Sequence, residues 1–272
     1  MSFEQRGRMP LDYQPSALPG SALRFRGPLN VDRGPAVVCI GSSETFGRFI
    51  DAPYAAQLDA TLDLPVLNLG VANAGLDVMM NDPAIAANVA NAEAVVMQIT
   101  SAHTLTNRFY SVHPRRNDRF LSASAMLRTI YPQVDFTEFH FIRHLLNHLR
   151  TESSDRFEIV RTELEIAWVA RMRRFLSSLA LPVHLLWLAN RRPDAVEASD
   201  LAQYPLFITK KMLETVGQDA ASVTIAAPHR GESLDGVQGK FFGPSEEAAA
   251  RMLPGPALHS MAAEKLLKHL RP

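Results

Sequence analysis

The chain has 272 residues, 47% of them hydrophobic, and its 28 basic and 28 acidic side chains leave it formally neutral. Neutrality argues against wholesale binding of nucleic acid or an anionic membrane, and the apolar content is enough for one sizeable core. A single cysteine, Cys39, excludes an internal disulfide framework; with no apolar secretory leader in Met1–Gly20 and no run of 18 apolar residues, a cytoplasmic protein without a membrane span is expected.

Residues 1–34 are rich in Pro, Gly and Arg and lack periodicity, so they read as an N-terminal arm ahead of one domain over 35–272. The apolar, β-branched run Ala36–Ile40 closes on Gly41 and predicts a buried parallel strand. Thr45–Leu62 reads as a helix, Pro65–Leu69 as a second strand ending in the loop Gly70–Gly75, and Ala84–Ala92 as a helix of small residues. Ala94–Ile99 is a third strand and runs into the polar segment Thr100–Arg119. Phe120–Glu158 is longer than an ordinary crossover and reads as a helical insertion, a lid or an oligomer surface. Within it Phe139–Leu149, and beyond it Ile159–Leu179, carry apolar residues at three- and four-residue spacing. Val183–Ala189 and Val223–Ala227 are the fourth and fifth strands, and the chain closes with the loop Pro254–His259 and the helix Ala262–Leu270. Strands separated by helices predict an α/β fold: a three-layer sandwich of the flavodoxin-like kind, with a central parallel sheet of about five strands.

In such a sheet a ligand sits beyond the carboxyl ends of the strands. The segments Gly41–Gly47, Gly70–Gly75, Thr100–Arg119 and Pro254–His259 are expected to meet there. Ser42 and Ser43 lie where the first strand gives way to a helix, a position that suits a nucleophile or an anion-binding hydroxyl. The bland alternative is that one of them simply caps the helix.

Gly41-Ser42-Ser43-Glu44-Thr45-Phe46-Gly47 resembles the first block of the SGNH (GDSL-like) hydrolases, Gly-Asp-Ser-x-Thr-x-Gly, with Ser42 in place of the aspartate. The resemblance implies Ser43 as nucleophile. Asn68-Leu69-Gly70 with Gly75 is similar to the second block, implying Gly75 N–H as an oxyanion donor. Leu258-His259 before the last helix is similar to the final block, implying His259 as general base. Two further departures from that pattern matter. Pro256 stands where the final block has an aspartate, which leaves a Ser–His dyad or a backbone carbonyl as orienter. Ser101-Ala102-His103-Thr104 replaces Gly-x-Asn-Asp, so His103 or Asn107 takes the oxyanion role. The stretch Asn107–Phe120 also resembles a group of alphaproteobacterial proteins placed near that superfamily, a likeness that bears on fold alone.

That stretch gathers Arg108, His113, Arg115, Arg116 and Arg119 within twelve positions. Guanidinium forks match carboxylate, sulfate or phosphate at two points, so Arg115, Arg116 and Arg119 are candidates to orient the anionic part of a substrate. The competing reading is a solvated loop whose arginines pair with Asp118 and Glu138. Arg116-Asn117-Asp118-Arg119-Phe120-Leu121-Ser122 is also similar to the segment with which sulfotransferases hold a 3′-phosphate, though no lysine-bearing phosphate loop follows the first strand.

His140, His144 and His148 recur every four residues near Glu138 and share a helix face, which reads as an amphipathic surface ahead of a metal site. His184, Trp168 and Trp187 read as core residues. The expectation is therefore an SGNH-like hydrolase or acyl-transfer enzyme without a cofactor, acting on an ester or O-acyl group of an anionic or sugar-like small molecule. Sulfotransferase-like chemistry and a non-catalytic anion- or carbohydrate-binding protein are the alternatives.

Overall fold

The structure is a computed structural model and describes residues 10–29, 36–195, 201–229 and 236–271. Its centre is a parallel sheet of five strands in the order β2-β1-β3-β6-β7: β1 (Val37–Gly41), β2 (Val66–Gly70), β3 (Ala94–Gln98), β6 (Val183–Leu188) and β7 (Ser222–Ala226). Each agrees with a predicted strand to within a residue or so at either end. These are short, nearly uninterrupted apolar runs, as a sheet covered on both faces requires. Between β3 and β6 a separate antiparallel hairpin forms from β4 (Tyr110–His113) and β5 (Arg116–Ala123). The polar segment Thr100–Arg119 is thus in part a ribbon, held by the turn at Pro114-Arg115.

Alternation along the strands divides the core. Val37, Cys39, Val96, Leu186 and Leu188 face α2 (Tyr54–Asp59) and α10 (Pro256–Leu270). Val38, Ile40, Val95, Met97, Leu185 and Trp187 face the other layer: α3 (Leu76–Asn81), α4 (Pro83–Ala90), α6 (Ile142–Glu152), α7 (Ser154–Ser177) and α8 (Lys210–Gly217). Fully burying each Leu or Ile contributes about 1.5–3 kcal/mol, so both layers are firmly attached. On α7 the buried residues Phe157, Val160, Leu164, Trp168, Met172 and Phe175 follow helical spacing. α5 (Ala125–Ile130) and α6 fill the expected helical insertion, whose first residues belong to β5. Ile142, Leu145, Leu146 and Leu149 of α6 join the main core.

Two helices differ from expectation. Thr45–Leu62 is broken into α1 (Ser43–Phe46) and α2, because Gly47 at φ 74° and Phe49 at φ 70° leave helical space and Pro53 restarts the chain. The closing helix begins at Pro256 instead of Ala262, with proline in the first turn, where its missing N–H goes unneeded. Of the arm, residues 10–29 pack on the body. Arg26 donates to the carbonyls of Gly47, Ile50 and Asp51, and the N–H of Phe49 donates to Tyr13 Oη at 2.9 Å. Among the described residues no helix is long and apolar enough to cross a membrane.

Candidate functional site

Because the five strands are parallel, their carboxyl ends share one rim, and β1 lies between β2 and β3 where the order of connection reverses. A cavity of about 140 Å³ opens there. It is lined by Ser42, Ser43 and Glu44 after β1, by Asn73 and Ala74 after β2, and by Gln98 and the following loop through Thr104 after β3. Arg48, Asp118 of β5, Tyr204 and Pro205 ahead of α8, and Ala249, Met252 and Leu253 at α9 (Glu247–Met252) complete it.

α1 is a single turn, and Ser42 at its N-cap makes no side-chain cap. The capping role falls to Gln98 instead. Its Oε1 accepts from Ser42 N (2.9 Å), Thr45 N (3.2 Å) and Thr45 Oγ1 (2.8 Å), while its Nε2 donates to Glu44 Oε2 (2.8 Å). A side chain at Gly41 would collide with this arrangement, since a Cβ there would stand 2.1 Å from Thr45 Oγ1 and 2.5 Å from Gln98 Oε1. The serine hydroxyls are thereby released from capping. Ser43 Oγ instead accepts from the N–H of Asn73 at 3.0 Å, presented by a backbone at φ 59°.

The other predicted site residues fall into two groups. His103 lines the cavity, 2% exposed, and its Nδ1 has no hydrogen-bond partner. Burial, aided by the charge of Arg143, pulls its pKa down to about 3, so the ring is neutral across the physiological range. Glu44 is buried too, and that burial pushes its carboxyl up while the bond from Gln98 opposes the rise.

His259 does not line the cavity. Because α10 starts at Pro256, His259 falls in its first turn and is buried beside α2. There it stacks on Tyr54 with ring centroids 6.2 Å apart, and its Nδ1 accepts from Tyr54 N at 3.2 Å. Burial, with Lys240 and Arg26 contributing, lowers its pKa to about 3. The cavity wall from this end of the chain is Met252 and Leu253, which carry no proton-accepting side chain. Gly75 also differs from expectation: its N–H is consumed by Asn117 Oδ1 at 2.8 Å, which additionally accepts from Val78 N at 3.1 Å. Asn107 shapes a turn, accepting from the N–H groups of Phe109 and Tyr110, and does not line the cavity.

The arginine stretch is partitioned within the protein. Arg108 is ion-paired with the buried Glu163 of α7, Nε to Oε2 at 2.8 Å. His113 Nδ1 accepts from the N–H groups of Arg115 and Arg116 at the hairpin turn, and Arg115 is exposed. Arg116 holds Asp118 through Nε and Nη2, both at 3.2 Å, and Arg119 lies 5.6 Å over the Phe141 ring. None of these cations lines the cavity. Arg116 and Ser122 are likewise engaged inside the hairpin, Ser122 with Ser111 at 2.7 Å, which gives the 3′-phosphate reading no free ligand set. His144 and His148 pack around Phe139 at 5.0 and 5.1 Å.

Asn73 and Gln98 are not among the residues the sequence points to, and Asn117 figures there only within the sulfotransferase-like segment. Gln98 left a trace: a polar residue terminating an otherwise apolar buried strand requires a partner. Asn73 and Asn117 left none, because their roles depend on contacts 30 and 42 residues away.

The model of a domain of unknown function, DUF6473, matches residues 1–272. Among curated proteins none matches the chain. Solved structures of similar layout include the lipase Lip_vut3 from a goat rumen metagenome, at 14% identity and TM-score 0.45 over 86% of this chain and 96% of that one. An α/β hydrolase, LAE5, from the metagenome of Lake Arreo gives 16% identity and TM-score 0.40 over 86% and 94%. A catalytic mutant of Axe2, an acetylxylan esterase from Geobacillus stearothermophilus, gives 13% and 0.43 over 88% and 94%. With TM-scores below 0.5, these likenesses carry no chemistry over to the present cavity.

Proposed function

The chain belongs to the DUF6473 family, and for it we propose acyl-transfer chemistry at Ser43: hydrolysis or transfer of an ester or O-acyl group borne by a small polar substrate. One observation carries the proposal. Gln98 takes over the capping of α1, so the Ser43 hydroxyl faces a cavity with a backbone N–H 3.0 Å from its oxygen and the neutral imidazole of His103 on the same lining. This replaces the His259 base and the Gly75 donor expected from the sequence, since both of those groups are engaged elsewhere.

In the proposed reaction Ser43 Oγ attacks the acyl carbon while its proton passes to the His103 ring. The carbonyl π pair moves onto oxygen, where a donor such as Asn73 N–H stabilises the charge. Collapse expels the alcohol, which takes the proton back from His103. Water then hydrolyses the acyl-serine, or a second alcohol accepts the acyl group. The low basicity of His103, set first by burial and then by the charge of Arg143, makes this a slow catalyst.

The test is labelling by a fluorophosphonate together with turnover of p-nitrophenyl acetate, each compared between the wild type and Ser43→Ala. Labelling and turnover that vanish with the hydroxyl support the proposal, and labelling that survives in Ser43→Ala refutes it. A second reading, a small-molecule-binding protein without turnover, is favoured by the apolar wall of Met252 and Leu253 where the sequence had placed a base. It predicts a wild type that is neither labelled nor active yet is stabilised by a ligand.

A further inference from the structure

We propose that the cavity takes an anionic ligand, a carboxylate or another oxyanion presenting two oxygens, held by Arg143 of α6. The proposal rests on the reading above only in taking this cavity as the ligand site, and it names the substrate class for it.

The geometry of Arg143 is unlike that of its neighbours. Its Nε and Nη2 are buried and have no hydrogen-bond partner, while the rest of the guanidinium meets Met252 Sδ through Nη1 at 3.8 Å and the side chain of Tyr204. Those two nitrogens form one edge of the guanidinium fork, the edge that grips a carboxylate at two points. Elsewhere in the chain the same edge is used in that way: Arg116 holds both oxygens of Asp118 through it, and Arg108 holds Glu163. Among the described residues no carboxylate lies within ion-pair distance of Arg143. Arg143 is half-buried, but two covered donors left unmade on a charged group are uncommon, and a ligand that supplies the acceptors accounts for them.

Arg143 is not itself in the cavity lining but borders residues that are. Its guanidinium carbon lies 4.6 Å over the ring of Tyr204, Met252 touches it, and its charge acts on His103; all three of those residues line the cavity. Nε and Nη2 are closed to bulk water, so the anion approaches from the cavity as Tyr204 or Met252 yields. Once bound, it offsets the positive charge beside His103. The contact that orients the ligand therefore also makes the imidazole a better proton acceptor.

Inorganic phosphate is the probe, read by thermal shift and titration calorimetry on the full chain. Phosphate is expected to bind and stabilise the wild type and Ser43→Ala alike, which separates this site from the acyl-transfer reading. Arg143→Gln should weaken binding about tenfold or more, with Arg143→Lys intermediate, since a point charge replaces a fork. A proton–nitrogen spectrum of the arginine Nε–H groups reads the same contact without relying on the variants' folding, and the Arg143 signal should move on addition of phosphate. Binding that is equal in wild type and Arg143→Gln overturns the proposal, as does an Arg143 signal unmoved at saturating phosphate. Absence of phosphate binding to the wild type overturns it too. Loss of Ser43 labelling with phosphate binding intact leaves it standing.

Discussion

Gln98 Nε2 donates to Glu44 Oε2 at 2.8 Å, tying the end of β3 to the turn that carries Ser43. Its other end holds Ser42 and Thr45, so one carboxamide makes four hydrogen bonds and sets the orientation of the candidate nucleophile. Gln98→Leu leaves the Ser42 and Thr45 N–H groups without their acceptor and should destabilise the protein by about 2–4 kcal/mol. Urea denaturation measures the loss. A change under about 0.5 kcal/mol would show that water serves as well as the carboxamide.

Glu44 predicts a pH dependence of one sign. Its carboxyl is held above its ordinary 4.5 when folded, chiefly by burial. Below 4.5 both states are protonated and nothing is lost; as pH rises, the unfolded chain ionises first and the folded state is progressively disfavoured. Glu44→Gln keeps an acceptor for Gln98 and should therefore raise the melting temperature at pH 7 more than at pH 4. Equal effects at the two values would remove the buried acid from the account.

The imidazoles predict the opposite limb. His103 and His259 both fall from 6.5 to about 3. Above 6.5 neither state is charged, whereas between 6.5 and 3 the unfolded chain takes up protons that the folded one refuses, so stability drops as pH falls. His259→Gln removes one of the two groups, and its plot of melting temperature against pH should be shallower than the wild type's below pH 6.5. Parallel curves would mean that His259 is protonated in the folded state.

Asn117 and Arg115 sit two positions apart in the stretch that the sequence marked as cationic, yet they should respond differently. Asn117→Ala strips the acceptor from Gly75 N and Val78 N inside the protein and should cost about 2–3 kcal/mol, read by chemical denaturation. Arg115→Ala, at an exposed turn, should change stability by less than about 0.5 kcal/mol and leave turnover of a model ester unchanged. A marked loss of turnover in Arg115→Ala would restore the arginines of the hairpin turn to the substrate site.

The sequence alone determined the sheet. Runs such as Val37–Ile40 and Val95–Met97 are apolar at every position because both faces are covered, and that pattern depends only on local composition and hydrophobicity. From five such strands, and the helices between them, the rim of carboxyl ends and the candidate Ser43 followed. Which groups surround that serine was decided by tertiary structure. Starting α10 at Pro256 buries His259 beside Tyr54, and in the β4–β5 hairpin Arg116 is held by Asp118 and Arg119 by Phe141. Asn73 and Gln98 reach the site across long stretches of chain. A hydrogen bond or an uncompensated charge is a property of two groups in space, and a side chain's neighbours at such separations leave no periodicity in the order of residues.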